Sequence, residues 1–173
     1  MVVSLKVIMK LYRLIAKQGF PIGTDVAWDF LSDPGNLQKI TPPHMGFEIL
    51  SGIDRKMYPG QIIQYSVAPF KGIRTRWVTE ISHVSEGHYF VDEQRFGPYS
   101  LWHHKHFIAE VPGGTEMQDI IDYKPPMGIL GRLAHTLFIR RQLTAIFQYR
   151  KEVLEERFGI LQGYQDSLSI VTV

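Results

Sequence analysis

The feature that most constrains this chain is a series of strand-length segments, each closed by a glycine or proline turn, followed by one long helical stretch. Segments at about 46–53, 61–68, 73–84, 88–96, 99–111 and 115–124 alternate apolar with polar residues, the period of a strand that buries one face. Tyr58-Pro59-Gly60, Lys71-Gly72, Glu86-Gly87, Gly97-Pro98 and Gly113-Gly114 separate them, supplying the residue types that chain reversal needs. An earlier strand is read over 9–20 and ends at Pro21 and Gly23. Thr24 reads as the cap of a short helix carrying Val26, Ala27, Phe30 and Leu31 on one side. Asp33-Pro34 opens a second short helix through Ile40, stopped by Thr41-Pro42-Pro43. Lys124-Pro125-Pro126 breaks the last strand, and a helix follows from about 128 to 158 with Gly159 just past its end.

Strands in runs, rather than alternating with helices, predict an α+β fold with an antiparallel sheet. The economical arrangement is a curved seven-stranded sheet wrapped on the long C-terminal helix, with a pocket between them. The second half of that helix carries an apolar stripe of Leu143, Ile146, Phe147, Val153 and Leu154. The first half is apolar almost all round, through Ile129, Leu130, Leu133, Ala134, Leu137, Phe138 and Ile139, and so is expected to touch more than one surface. Gly128 and Gly131 near its start either loosen a gate or allow a close backbone contact.

A chain of 173 residues fits one domain with a real core. The expected division is an extension over 1–8, a binding domain over 9–159 and a tail over 160–173, with Met9 as an alternative start. The net charge of +2, with Lys and Arg scattered in pairs, gives no electrostatic footprint for nucleic acid. There is no cysteine, so disulfides and thiolate chemistry are excluded. That fits a reducing cytoplasm, the expected location. The opening MVVSLKVI is too short for a secretory leader, and no stretch reaches the length of a membrane span.

Between Phe90 and Tyr123 the inward phase mixes chemistry into the core pattern. It holds Phe90, Trp102, Ile108, Met117, Ile121 and Tyr123, but also Asp92, Gln94, His104, His106 and Asp119. The other phase holds Glu93, Arg95, Lys105, Asp122 and Lys124, which read as solvent-facing. A two-residue Gly113-Gly114 turn places Lys105 opposite Asp122, His106 opposite Ile121 and His104 opposite Tyr123. A three-residue loop at Gly97-Pro98-Tyr99 places Asp92 opposite His104 and Gln94 opposite Trp102. Each histidine then has a carboxylate nearby. Such a cluster orients a ligand or transfers a proton, with His104, His106, Asp119 and Asp92 as the catalytic candidates. Equally, it is a buried network that satisfies itself. His104-Lys105-His106 puts two imidazoles on one strand face, but zinc asks for three or four ligands. Asp119 or Asp92 would have to complete the set, and neither a metal nor any other cofactor is expected.

Trp28-Asp29-Phe30-Leu31-Ser32-Asp33-Pro34-Gly35-Asn36-Leu37 and Ile40-Thr41-Pro42-Pro43, in this order of elements, resemble the START-like or SRPBCC superfamily. This is the helix-grip fold of the birch pollen allergen and the polyketide cyclase/dehydrase group. Val91-Asp92-Glu93-Gln94, Gly97-Pro98-Tyr99, Trp102-His103-His104-Lys105-His106 and Gly113-Gly114-Thr115 are similar to one bacterial subfamily of it. The resemblance implies a deep cavity for a lipid, polyketide or aromatic metabolite, and it does not single out one reaction. The oxygenase branch is not expected, because the cysteine and histidine pairs of a Rieske cluster are absent. The residues expected to line the cavity are Tyr65, Trp77, Phe90, Asp92, Gln94, Trp102, His104, His106, Asp119, Ile121, Tyr123, Leu133 and Leu137. The leading expectation is a small-molecule binding protein. The alternatives are a cyclase- or dehydratase-type enzyme using a His–Asp pair, and an interaction module with a vestigial pocket.

Overall fold

Alternation and turn chemistry produce one antiparallel sheet. The computed structural model describes residues 10–70 and 73–173; the expected 1–8 extension and the Lys71-Gly72 turn lie outside them. Strand β1 (Tyr12–Phe20) leads to helix α1 (Thr24–Leu31) and two 3-10 turns, Pro34–Asn36 and Pro43–Met45. Strands β2 (Glu48–Ser51), β3 (Gln61–Phe70), β4 (Ile73–Ser85), β5 (Tyr89–Phe96), β6 (Leu101–Val111) and β7 (Gly114–Lys124) follow as a meander. The C-terminal helix comprises α2 (Gly128–Ala134), a π-helical stretch (His135–Ile139) and α3 (Arg140–Phe158). A last strand, β8 (Ser167–Thr172), closes the chain. The sheet order is β2-β3-β4-β5-β6-β7-β1-β8.

Four expectations are corrected. The sheet has eight strands rather than seven, because the supposed tail carries β8. Leu168 and Ile170 turn inward beside Leu14 while Ser167, Ser169 and Val171 face out; six alternating residues at a sheet edge are a short signal. The second short helix is reduced to the 3-10 turn Pro34–Asn36, whose N–H groups bond three residues back, Asn36 to Asp33 and Leu37 to Pro34. Helix α1 begins at Thr24 with Gly23 as its cap, so Thr24 itself does not cap. The β6–β7 turn is Pro112-Gly113 rather than Gly113-Gly114: Val111 pairs with Gly114. Pro at the first turn position and Gly113 at a φ of 84° follow the residue order of a type II turn. Gly114 opens β7, at a position that requires glycine because a Cβ there would meet the carbonyl oxygen of Phe20 at 2.0 Å.

That change moves the register by two residues. It keeps every side chain on its predicted face and changes its partner. Lys105 and Asp122 remain on the outward face, yet Asp122 is buried there. Arg13 Nε at 2.6 Å and Lys105 Nζ at 2.7 Å close over its carboxylate, a cover that strand alternation does not foretell.

The core occupies one half of the space between sheet and helix. Leu14, Ile121, Tyr123 and Ile170 of the sheet meet Leu143 and Phe147 of α3. Further along, Phe20 and Met117 meet Phe30, Ile40 and Leu154. Helix α1 seals one end by packing Ala27 and Trp28 on Phe90 and Ile108. The inner face of β3 to β6 is left facing the start of the long helix across open space. No helix of the described residues is long and apolar enough to cross a membrane.

Candidate functional site

Strand pairing decides which polar groups meet. Asp92 of β5 lies opposite His104 of β6, and His106 of β6 lies opposite Asp119 of β7. All four occupy the inward phase, so their side chains share one face. They form a closed ring of contacts. His104 Nε2 lies 2.8 Å from Asp119 Oδ1, and its Nδ1 lies 3.4 Å from Asp92 Oδ2. His106 Nδ1 lies 2.8 Å from the same Asp119 oxygen, and its Nε2 lies 2.8 Å from Asp92 Oδ2. The two imidazoles overlap with centroids 3.7 Å apart. Phe90 stacks on His106 at 4.0 Å, and Trp102 meets His104 edge-on. From α3, Arg150 Nη1 reaches both oxygens of Asp119 at 3.3 Å.

The electrostatics follow from burial and pairing. Burial by itself would raise the Asp119 carboxyl, but Arg150 and the two imidazoles hold it well below the ordinary carboxylate range. Burial would likewise raise Asp92, yet attraction to His104, the hydrogen bond from His106 and Arg150 keep it low. Burial lowers both imidazoles. For His106 the hydrogen bonds to Asp119 and Asp92 overcome that penalty, and its proton is held above the usual histidine range. For His104 repulsion from His106 adds to burial, outweighs the two carboxylates and moves it down.

This ring forms part of the wall of a cavity of about 520 Å³. Of the residues expected to line it, Tyr65, Trp77, Phe90, Asp92, Trp102, His104 and His106 do so. The others are placed elsewhere. Asp119 is fully buried behind the histidines. Gln94 turns away to bind the backbone of Tyr99, donating to its carbonyl at 2.6 Å and accepting its N–H at 3.2 Å. Ile121 and Tyr123 pack beneath α3, and Tyr123 Oη lies 2.8 Å from His135 Nε2. Leu133 and Leu137 are 57% and 56% exposed. Leu130, Ala134 and Phe138 line the cavity instead; these stand four apart along the helix, so their preceding neighbours fall on another side. Gly131 is a close-packing position rather than a hinge, since a Cβ there would lie 1.9 Å from the carbonyl oxygen of Pro126.

Arg150 escaped the sequence reading, although a signal was present. Leu143, Phe147, Arg150 and Leu154 are the buried positions of α3, with the spacing of one helical face. A cation in that series implies a buried anion opposite. Tyr65 shares a short hydroxyl–hydroxyl contact with Thr79, and burial pushes its phenol upward. Trp77, also on the cavity wall, buries its Nε1–H with no acceptor among the described residues.

No protein-family model matches this chain, and no curated protein is similar to it in sequence. Solved structures are similar to it in shape. TTHA0849 from Thermus thermophilus aligns at a TM-score of 0.66 and 14% identity, over 84% of this chain and 95% of that one. CV1439 from Chromobacterium violaceum gives 0.64 and 13%, over 85% and 97%. Major latex-like protein 151 from Panax ginseng gives 0.62 and 14%, over 86% and 97%. The chain has the helix-grip fold. At these identities the likeness establishes the fold alone.

Proposed function

We propose that the protein binds a small, mostly apolar molecule in the cavity between the sheet and the C-terminal helix. The observation that carries this reading is the cavity itself: about 520 Å³, within the usual range of ligand sites, walled by aromatic and aliphatic side chains. Its concentrated polarity lies at Asp92, His104, His106 and Arg150. A ligand that fits is a lipid, polyketide or aromatic metabolite with its polar end against that cluster. The unpartnered Trp77 N–H supports an oxygen on the ligand as well. A space this large weighs against an interaction module whose pocket has closed.

A second reading, an enzyme of the cyclase or dehydratase type, is favoured by one feature. His104 is held neutral, with Nδ1 near Asp92 and its ring at the cavity wall, the state a general base requires.

Native mass spectrometry of protein purified from its own host tests the first reading, with displacement of an apolar fluorophore as the solution assay. Trp77 and Trp102 in the wall report occupancy by quenching. Ile146→Trp, which fills the cavity from α3, is expected to abolish fluorophore binding. Undiminished binding in that variant would place the ligand elsewhere and defeat the proposal. Conversion of the retained molecule on prolonged incubation would select the enzymatic reading.

A further inference from the structure

The ring of histidines and aspartates is directional. Each imidazole turns one nitrogen to the fully buried Asp119: His104 Nε2 and His106 Nδ1 both lie 2.8 Å from its Oδ1. Their other nitrogens, His104 Nδ1 and His106 Nε2, point to one oxygen of Asp92, at 3.4 and 2.8 Å. One ligand atom from each of Asp92, His104 and His106 falls within 4.8 Å of the others. We propose that these three residues bind a divalent transition metal ion at the wall of the cavity, deepening the ligand-binding reading on which it rests, since the ion would sit where the ligand's polar end is placed.

Three properties support this. First, the spacing is right. Metal bonds of about 2.1 Å to tetrahedrally disposed ligands put the ligand atoms about 3.4 Å apart, the separation of His104 Nδ1 from Asp92 Oδ2; His106 Nε2, at 2.8 Å, exchanges its hydrogen bond to that oxygen for the metal. Second, the support around the donors is that of a metal site. A ligating histidine ordinarily donates its other N–H to a carboxylate, which fixes the tautomer and raises ligand basicity. Here one carboxylate serves both rings, and Arg150 anchors it at 3.3 Å through both oxygens. The remaining nitrogen of each ring is turned to the same Asp92 oxygen, so all three donor atoms converge. Third, the donors come from adjacent strands β5 and β6, elements rigid enough to hold geometry. Phe90 and Trp102 wall the rings in, while the cavity leaves the remaining coordination positions to water or to an oxygen of a bound molecule. Two imidazoles and a carboxylate suit zinc, cobalt, nickel or iron(II) better than magnesium or calcium. Asp119 is a positioning residue in this arrangement.

Cobalt(II) is the probe, because its visible absorption reports coordination directly. Purified protein is stripped with chelator, loaded with cobalt(II) and desalted. One cobalt per chain is expected, with d–d absorption above that of the aqua ion. Proton NMR of the loaded wild-type protein is expected to show two hyperfine-shifted exchangeable signals, the imidazole N–H groups held against Asp119. This second measurement needs no variant to fold. Asp92→Asn and His104→Gln are expected to lose the metal, and Asp119→Asn to weaken it about 10–100-fold. His103→Gln, on the outward face beside Glu93, is expected to leave it unchanged. Failure to retain cobalt, absence of the shifted N–H pair, or retention that survives both Asp92→Asn and His104→Gln would each overturn the proposal. Because the metal is titrated alone, that failure is distinct from failure of the fluorophore assay.

Discussion

Replacing Arg150 by methionine keeps most of the side-chain volume and removes the cation held against Asp119. The carboxylate is fully buried and accepts Arg150 on both oxygens at 3.3 Å. Breaking a buried pair by deleting one partner costs about 3–5 kcal/mol, because a charge is left uncompensated away from water. Globular proteins unfold with about 2.1 cal/mol/K of entropy per residue. For 173 residues that scales to about 0.36 kcal/mol/K, so the melting temperature should fall by about 8–14 °C. The two imidazoles beside Asp119 retain part of the compensation, which favours the lower end. The assay is a thermal melt followed by circular dichroism or calorimetry at neutral pH, repeated with Asp119→Asn added to Arg150→Met. If the reasoning holds, the double variant recovers stability relative to Arg150→Met, because the orphaned charge goes with it. pH supplies a second reading. The Asp119 carboxyl is depressed in the folded state, so its stabilisation is fully present above the unfolded value near 3.9 and is lost as pH falls toward the folded one. Without Arg150 that depression shrinks, and the acid-side loss flattens and moves to higher pH. An Arg150→Met melt within about 2 °C of wild type, far inside the shift derived above, would refute the account of Asp119 as a charge that depends on its guanidinium.

Other expectations follow from the same contacts. His106 is held protonated above its usual range, so its contribution is complete below about pH 6.5 and fades as pH rises through the folded value; urea midpoints from pH 6 to 9 should show a decline that His106→Gln lacks. Gly131→Ala forces a Cβ to within 1.9 Å of the Pro126 carbonyl oxygen, and overpacking of this kind costs about 1–3 kcal/mol, readable as a lowered melting temperature. Ile170→Ala in β8 should lose about 2–5 kcal/mol, whereas Val171→Ala on the outward face should stay within about 0.5 kcal/mol; equal effects would mean that β8 does not dock as described. For the cluster itself, His104→Leu separates two roles. Lost fluorophore retention with an unchanged melt supports ligand recognition, and a lowered melt with full retention leaves a structural network.

The meander was legible because period-two alternation and glycine–proline turns are local consequences of backbone geometry. They placed β3 to β7 and the long helix, and they put Asp92, His104, His106 and Asp119 on one face before any partner was known. Strand β8 was missed because six residues at an edge carry little pattern, and its partner β1 lies some 150 positions away along the chain. The register between β6 and β7 follows from a turn at Pro112-Gly113, where Val111 pairs with Gly114. Gly114, a turn residue by type, is instead required by the close approach of the Phe20 backbone, a contact outside the hairpin. Face survived that two-residue shift and partnership did not, since side chains repeat every second residue. So the sequence by itself determined which polar groups turn inward. Only the tertiary structure decided that His106 meets Asp119, that both histidines lean on one carboxylate, and that Arg150 arrives from a distant helix to hold it. Those contacts join residues far apart in the chain, and burial, which makes each of them matter electrostatically, is a property of the assembled fold.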